Sequence, residues 1–230
     1  MYGYVKVGSA VPKLRVADCV YNKEEILKLV EAAAAKQVRV LSFPELSVTG
    51  YTCADLFFQT PLLHAAEQAI QEIAEATEAL NIFLLIGAPI AVDNQMFNCA
   101  VALYKGKLLG IVPKTHIPNY SEFYEERWFA SADDLLTEEI TYAGQNVPIG
   151  ADLIFAAADF PALKIGVEIC EDLWVPIPPS SYLSLYGATL LLNLSASNEL
   201  ASKPGYRRQL VSQQSARCLS AYVYTSAGTG

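Results

Sequence analysis

Three reactive or charged side chains stand where apolar runs stop. Glu45 lies in LSFPELSVTGY, where a run ends at Phe43 and Pro44 cannot donate to a strand ladder. Lys114 lies in LGIVPKTHIPNY, where a second run enters proline and then a charge. Cys170 lies in LKIGVEICEDLW, at the end of a third run and just before a strand-to-helix turn. Singly, each has a plain reading as a solvated glutamate, an exposed lysine or a core cysteine, the last being the common fate of free thiols. Glu168, Glu171 and Asp172 are out of place around an ordinary core cysteine.

Together the three residue types have a chemical logic. A thiol is mostly protonated at neutral pH and needs a base before it attacks. The chain has only two histidines, His64 and His116, which weakens any Cys-His or Ser-His arrangement. A carboxylate of raised pKa is the substitute. A lysine beside the pair stabilises an oxyanion and helps an amine depart. A sharp turn at Cys170 also frees the backbone N–H of Glu171 to face a reacting carbonyl oxygen. Glu45, Lys114 and Cys170 thus predict an acyl-transfer site without histidine or metal. Neither histidine has a partner at i+4, and His64 is expected to cap or pack on a helix.

The elements that must position these residues alternate between helix and strand. A helix is expected from Lys23 to Lys36, with Asn22 as N-cap and Glu25 three residues on. Val38 to Phe43 reads as a strand. Leu63, Ala66, Ile70 and Ile73 recur at helical spacing within a helix from Leu62 to Leu80, followed by a buried strand from Ile82 to Ile90. Phe97–Tyr104 and Leu108–Val112 form a hairpin around Lys105-Gly106-Lys107. Thr115 to Gly150 has little periodicity and is expected to be a set of functional loops. Further strands are expected at Leu153–Ala157, Leu163–Ile169, Thr189–Leu194 and Tyr222–Ser226, and helices at Pro178–Tyr186 and Gly205–Leu219. The pattern predicts one domain, a mixed α/β layered sandwich.

Composition narrows the function. Apolar residues make up 53% of the 230 and charged residues 17%, which predicts a large covered core. The net charge is −8 and no Lys/Arg cluster exceeds a pair, which argues against nucleic acid and against a membrane surface. No apolar run approaches the ~20 residues of a membrane helix, and no signal peptide is visible, so a cytoplasmic location is expected. The five cysteines include no CxxC spacing, which argues against a disulfide framework and a structural zinc site.

The segments FPELSVTGY, VPKTHIPNYSEFYEERWF and GVEICEDLWVPIPP resemble the nitrilase superfamily of carbon–nitrogen hydrolases, and lie in its order across nearly the whole chain. The resemblance implies a four-layer αββα sandwich with a Glu-Lys-Cys triad. Within the superfamily, GYTCADLF, ICEDLWVPIPPS, LNLSASNE and SARCLSAYVYTSAGTG resemble the N-terminal glutaminase domain of bacterial glutamine-dependent NAD synthetases. The implied roles are Glu45 as general base, Lys114 as electrostatic partner, and Cys170 as the nucleophile that releases ammonia from glutamine. Glu125 matches a second carboxylate supporting the lysine. Tyr120 and Ser197 match substrate-binding residues. Tyr51 lines the pocket or packs beneath Glu45, and Phe123 and Trp174 wall the pocket or belong to the core. Where related domains place an arginine for the glutamine carboxylate, this chain reads NELASKPGYRR, and Lys203, Arg207 or Arg208 could serve.

The resemblance also implies partners. Such domains need no cofactor of their own, while ATP, Mg and deamido-NAD belong to a synthetase domain with an SGGxDS-like loop. No such loop occurs here, so residues 1–230 are expected to be the glutaminase piece of a longer protein. Homo-oligomer assembly is expected as well. Two other readings remain open: a stand-alone amidase for another small amide, and a catalytically idle assembly domain.

Overall fold

Strands that are apolar on both faces must be covered on both faces, and this requirement sets the layers. The computed structural model describes residues 3–228. In chain order the regular elements are β1 (Val7–Ser9), α1 (Cys19–Ala35), β2 (Val40–Ser42), α2 (Thr60–Ala76), β3 (Phe83–Val92), β4 (Gln95–Tyr104), β5 (Lys107–Pro113), β6 (Glu139–Tyr142), β7 (Gln145–Pro148), β8 (Ile154–Ala156), β9 (Lys164–Ile169), α3 (Pro179–Leu185), β10 (Leu190–Ser195), α4 (Lys203–Cys218) and β11 (Ala221–Ser226).

Among the described residues, one sheet has the order β1-β2-β3-β4-β5, a second has β11-β10-β9-β8, and β6-β7 form a separate hairpin. β1, β2 and β3 are parallel, and β4 and β5 follow as antiparallel neighbours. In the second sheet β9, β10 and β11 are parallel and β8 is antiparallel. Strand alternation divides the apolar residues between two interfaces. Phe83 and Leu85 face the second sheet, where they cluster with Val167, Ile169, Leu192 and Leu194. Leu84 and Ile86 face the other way, into α1 and α2 through Ile26, Val30, Ile70 and Ile73. Leu183 and Leu191 pack α3 onto the outer face of the second sheet. Each such buried side chain contributes about 1.5–3 kcal/mol. The result is the four-layer αββα sandwich.

Several boundaries differ from expectation. α1 starts at Cys19, and its N-cap is Asp18, whose carboxylate accepts from Tyr21 N at 3.1 Å. Asn22 is therefore not the cap. It is fully buried and uses its amide to tie the Arg15 and Val48 backbones together. α2 ends at Ala76 rather than Leu80, where the Thr77 hydroxyl turns back onto Ile73 O at 2.8 Å. α4 starts at Lys203 rather than Gly205. β3 and β4 form a hairpin that the apolar pattern did not predict. Asp93 and Asn94 turn it with φ of 48° and 64°, the left-handed pair that suits a two-residue hairpin loop. Within 115–150, β6 and β7 and two short 3-10 turns, Glu125–Arg127 and Ala132–Asp134, give structure to the expected loop set.

Candidate active site

The C-terminal ends of β2, β5, β9 and β10 carry the polar residues of interest. Glu45 follows β2 in a turn whose residues, from Phe43 to Gly50, are all buried. This turn lies directly on Gly87 of β3. A Cβ at Gly87 would sit 2.3 Å from Leu46 N and 2.6 Å from Pro44 O, so only glycine fits beneath the Glu45 backbone. Gly87 O also accepts from Val48 N at 3.1 Å. Lys114 directly follows β5, and its backbone is held by Asn98 O at 2.8 Å and Ala132 N at 2.9 Å. Cys170 opens the 3-10 turn Cys170–Trp174 immediately after β9. Its φ is +47°, a left-handed conformation costing a non-glycine residue about 1–3 kcal/mol. Glu171, next in the turn, has an N–H without a partner inside the turn.

These ends bring the charges into one cluster. Lys114 Nζ lies 2.7 Å from Glu45 Oε1 and 2.9 and 2.8 Å from the two oxygens of Glu125. Lys114 is 0% exposed, and Glu45 and Glu125 are 1% exposed, so three ionisable groups share a site closed to bulk water. Ions so buried cost several kcal/mol each and persist only when fully paired. The pairing is completed by neutral donors. Asn98 Nδ2 donates to Glu45 Oε1 at 2.7 Å, Ala196 N to Glu45 Oε2 at 2.9 Å, and Tyr51 Oη to Glu125 Oε1 at 2.6 Å.

The proton states follow from that pairing. Burial alone would lower the Lys114 pKa, but the Glu45 and Glu125 carboxylates outweigh it and hold the ammonium well above the usual lysine range. Burial and then Glu45 raise Glu125, against the pull of Lys114. Burial, reinforced by Glu45 and opposed by Lys114, pushes the Cys170 thiol above the ordinary cysteine range. The resting sulfur is therefore S–H, and attack requires a proton acceptor beside it.

Cys170 also lines a cavity of about 430 Å³, together with Tyr120, Phe123, Trp174, Ser197 and Lys203. Tyr120 Oη donates to Glu171 at 2.9 Å, and burial pushes the phenol up to about 12 and raises the Glu171 carboxyl. Lys203 Nζ is 5.1 Å from the Trp174 ring centre and 5.9 Å from that of Phe123, and it donates to Asn198. Arg207 is paired with Glu199 over the Tyr224 ring, and Arg208 is exposed, so among the three basic candidates Lys203 is the one that lines the cavity. A wider groove of about 1160 Å³ runs outside the lysine loop, but it touches none of Glu45, Lys114 or Cys170, so size alone does not select the site.

Some sequence-derived placements change. Tyr51 does not line the Cys170 cavity; it joins the charge cluster through Glu125 and borders a smaller cavity of about 210 Å³. His64 lies within α2 on an exposed face, so it caps nothing. The His116 side chain borders the wide groove, while its backbone N donates to Asp172 at 2.7 Å. Sequence reasoning assigned no role to Asn98 or Gly87, and it marked Asp172 only as out of place beside a core cysteine. The polar Asn98 inside the apolar run MFNCAVALY was the available signal for the first. Among the described residues no cluster of three His, Cys, Asp or Glu side chains has metal-holding geometry, and no helix is long and apolar enough to cross a membrane.

Comparison with known proteins gives the context of this geometry. Residues 7–230 match the family described as Carbon-nitrogen hydrolase. The chain is 39% identical over its whole length to a glutamine-dependent NAD(+) synthetase of Mycobacterium bovis, of which it spans 34%. It is 40% identical over 99% of its length to that of Mycobacterium leprae, spanning 33% of it. The crystal structure of a glutamine-dependent NAD(+) synthetase from Cytophaga hutchinsonii superposes with a TM-score of 0.83 at 31% identity, over 97% of this chain and 37% of that one. An amidase from Nesterenkonia sp. shares the fold at a TM-score of 0.75 and 16% identity, over 99% of this chain and 78% of that one. The chain thus spans about a third of the length of the curated relatives it matches.

Proposed function

Because the chain belongs to the Carbon-nitrogen hydrolase family, we propose that it hydrolyses the side-chain amide of glutamine, with Cys170 as nucleophile, Glu45 as general base and Lys114 as electrostatic partner. One observation carries this reading: a fully buried Lys114 ammonium lies 2.7 Å from Glu45, and both charges act on Cys170. Glu45 takes the thiol proton as sulfur bonds to the carboxamide carbon. Lys114 and the Glu171 N–H stabilise the oxyanion. The tetrahedral intermediate collapses, the C–N bond breaks, and nitrogen leaves as ammonia after taking the proton. Water then adds to the thioester, with Glu45 again accepting a proton, and glutamate is released as the thiol reforms. Glu125 and Tyr51 hold Lys114 in place throughout.

In the cavity, Lys203, Ser197 and Tyr120 are the groups available to the amino-acid end of glutamine. A lysine gives the carboxylate a point charge rather than a two-pronged grip. The reading extends to the longer relatives. A synthetase domain linked to this one would use the ammonia, with ATP, Mg and deamido-NAD bound there and no cofactor bound here. Homo-oligomer assembly and a cytoplasmic location belong to the same proposal.

The test is ammonia release from glutamine by the protein and by Cys170→Ala. The variant is expected to lose turnover, and the parent to form a thioester-type adduct with an electrophilic glutamine analogue at Cys170. Full turnover by Cys170→Ala would end this assignment. Strong preference for a different small amide across a substrate panel would instead support a stand-alone amidase.

A further inference from the structure

We propose that Asp172 is a positioning residue that sets the distance between the Lys114 ammonium and the Cys170 sulfur. Asp172 is 2% exposed, and its carboxylate lies between the two loops that carry those groups. Oδ1 accepts from Thr115 N at 3.2 Å and His116 N at 2.7 Å, the two residues after Lys114. Oδ2 accepts from Ile169 N at 2.9 Å, the residue before Cys170. One carboxylate therefore joins the end of β5, in the first sheet, to the end of β9, in the second.

The same contact acts on the conformation of Cys170. Asp172 is the third residue of the turn that Cys170 opens, and its bond to Ile169 N closes a ring across the cysteine. Cys170 keeps a left-handed φ of 47° inside that ring. The other backbone tethers of Lys114, to Asn98 and Ala132, do not reach the second sheet. Ala196 N ties Glu45 to the second sheet at β10 and Tyr120 Oη joins the lysine loop to Glu171, while Asp172 is the side chain that bonds the backbones immediately beside both Lys114 and Cys170.

The variant that isolates this role is Asp172→Asn. Its carbonyl oxygen still accepts from the lysine loop, but its amide hydrogens confront Ile169 N–H, so the cysteine side is released while the volume stays the same. The inference rests on the amide-hydrolysis reading for its effect on turnover but not for its effect on the sulfur. Two quantities are therefore read: ammonia release from glutamine, and the rate of Cys170 alkylation by iodoacetamide followed by mass spectrometry.

In the folded Asp172→Asn protein, alkylation is expected to fall about tenfold or more, because a thiolate displaced from its ammonium is less populated. Turnover is expected to fall by a similar factor with KM held within about twofold. A purely structural role would lower the melting temperature and leave alkylation unchanged or faster. Alkylation within about twofold of the parent, or faster, overturns the proposal whatever the ammonia assay reads. Slower alkylation in Asp172→Asn, combined with a parent that releases no ammonia from glutamine, upholds the positioning role and removes the glutamine reading. Should Asp172→Asn not fold, Asp172→Glu keeps the carboxyl group, moves it outward by one methylene, and is read in the same two assays.

Discussion

Tyr51 donates to Glu125 Oε1 at 2.6 Å, the same oxygen that Lys114 Nζ reaches at 2.9 Å. Two donors on one oxygen hold Glu125 against Lys114, while its second oxygen meets the ammonium at 2.8 Å. Burial, then Glu45 and Glu125, push the Tyr51 phenol far above its ordinary range, so it remains a donor. Tyr51→Phe deletes that donor without changing the ring. The variant is expected to lose about 1.5–3 kcal/mol of stability, the worth of a buried hydrogen bond to a charged group. Urea denaturation measures it, and an unchanged midpoint would mean that Tyr51 contributes packing only.

Lys203 lines the cavity beside Cys170, and in the proposed function it meets the carboxylate of the substrate rather than the reacting carbon. Lys203→Met is expected to raise KM for glutamine by about tenfold to a hundredfold, the loss of one charge-assisted contact, with turnover changed far less. Lys203→Arg is expected to keep a low KM. Steady-state ammonia release gives both constants, and a drop in turnover at constant KM would place Lys203 in the chemistry instead.

Gly87 supports Glu45 from below. In Gly87→Ala the new Cβ meets backbone atoms that cannot rotate away, so the Glu45 turn must shift or the sheet must strain, at a cost of about 1–3 kcal/mol or more. Displacing Glu45, the proposed base, by even 1 Å is expected to lower turnover on the order of a hundredfold. Gly205→Ala is the matched control, because a Cβ there meets nothing within 4 Å. Equal activity in the two variants would show that the turn has slack.

Asp172 also gives the fold a pH dependence with a definite sign. Burial raises its carboxyl from 3.8 to about 8, opposed by the N–H groups of Ile169 and His116. A group raised on folding contributes stability that is fully present below its unfolded value and lost as pH rises through the folded one. The parent is thus expected to lose stability relative to Asp172→Asn between about pH 4 and pH 8, and to level off above. Urea midpoints across that window measure the gap. A gap that does not vary with pH would show that Asp172 is already ionised in the folded protein at low pH.

Glu45, Lys114 and Cys170 were legible because strand ends are written locally: apolar runs, two of them stopped by proline, with a polar residue next. The αββα layers were legible from the family motifs, whereas the alternation of strand and helix alone reached only a mixed α/β layered sandwich. Asn98 and Gly87 were not. Each lies inside an apolar strand, and only the register that sets β3 and β4 beside the Glu45 turn gives them a task. Asn22 was misread for a related reason. A cap is inferred from neighbours in sequence, while its amide is used by a turn 26 residues away. The choice among Lys203, Arg207 and Arg208 likewise depended on where Glu199 draws Arg207, which spacing does not encode.

The hydrogen bond from Ala196 N to Glu45 spans 151 residues of chain and joins the two sheets. Contacts so distant in sequence close late, after the slow search that non-local topology imposes. Glu45, the proposed base, therefore gains its partner from the second sheet only in molecules whose sheets have already docked. Recovery of turnover after dilution from denaturant becomes a clock for that docking, and a lag between regained helix signal and regained ammonia release would time the final closure of the sandwich.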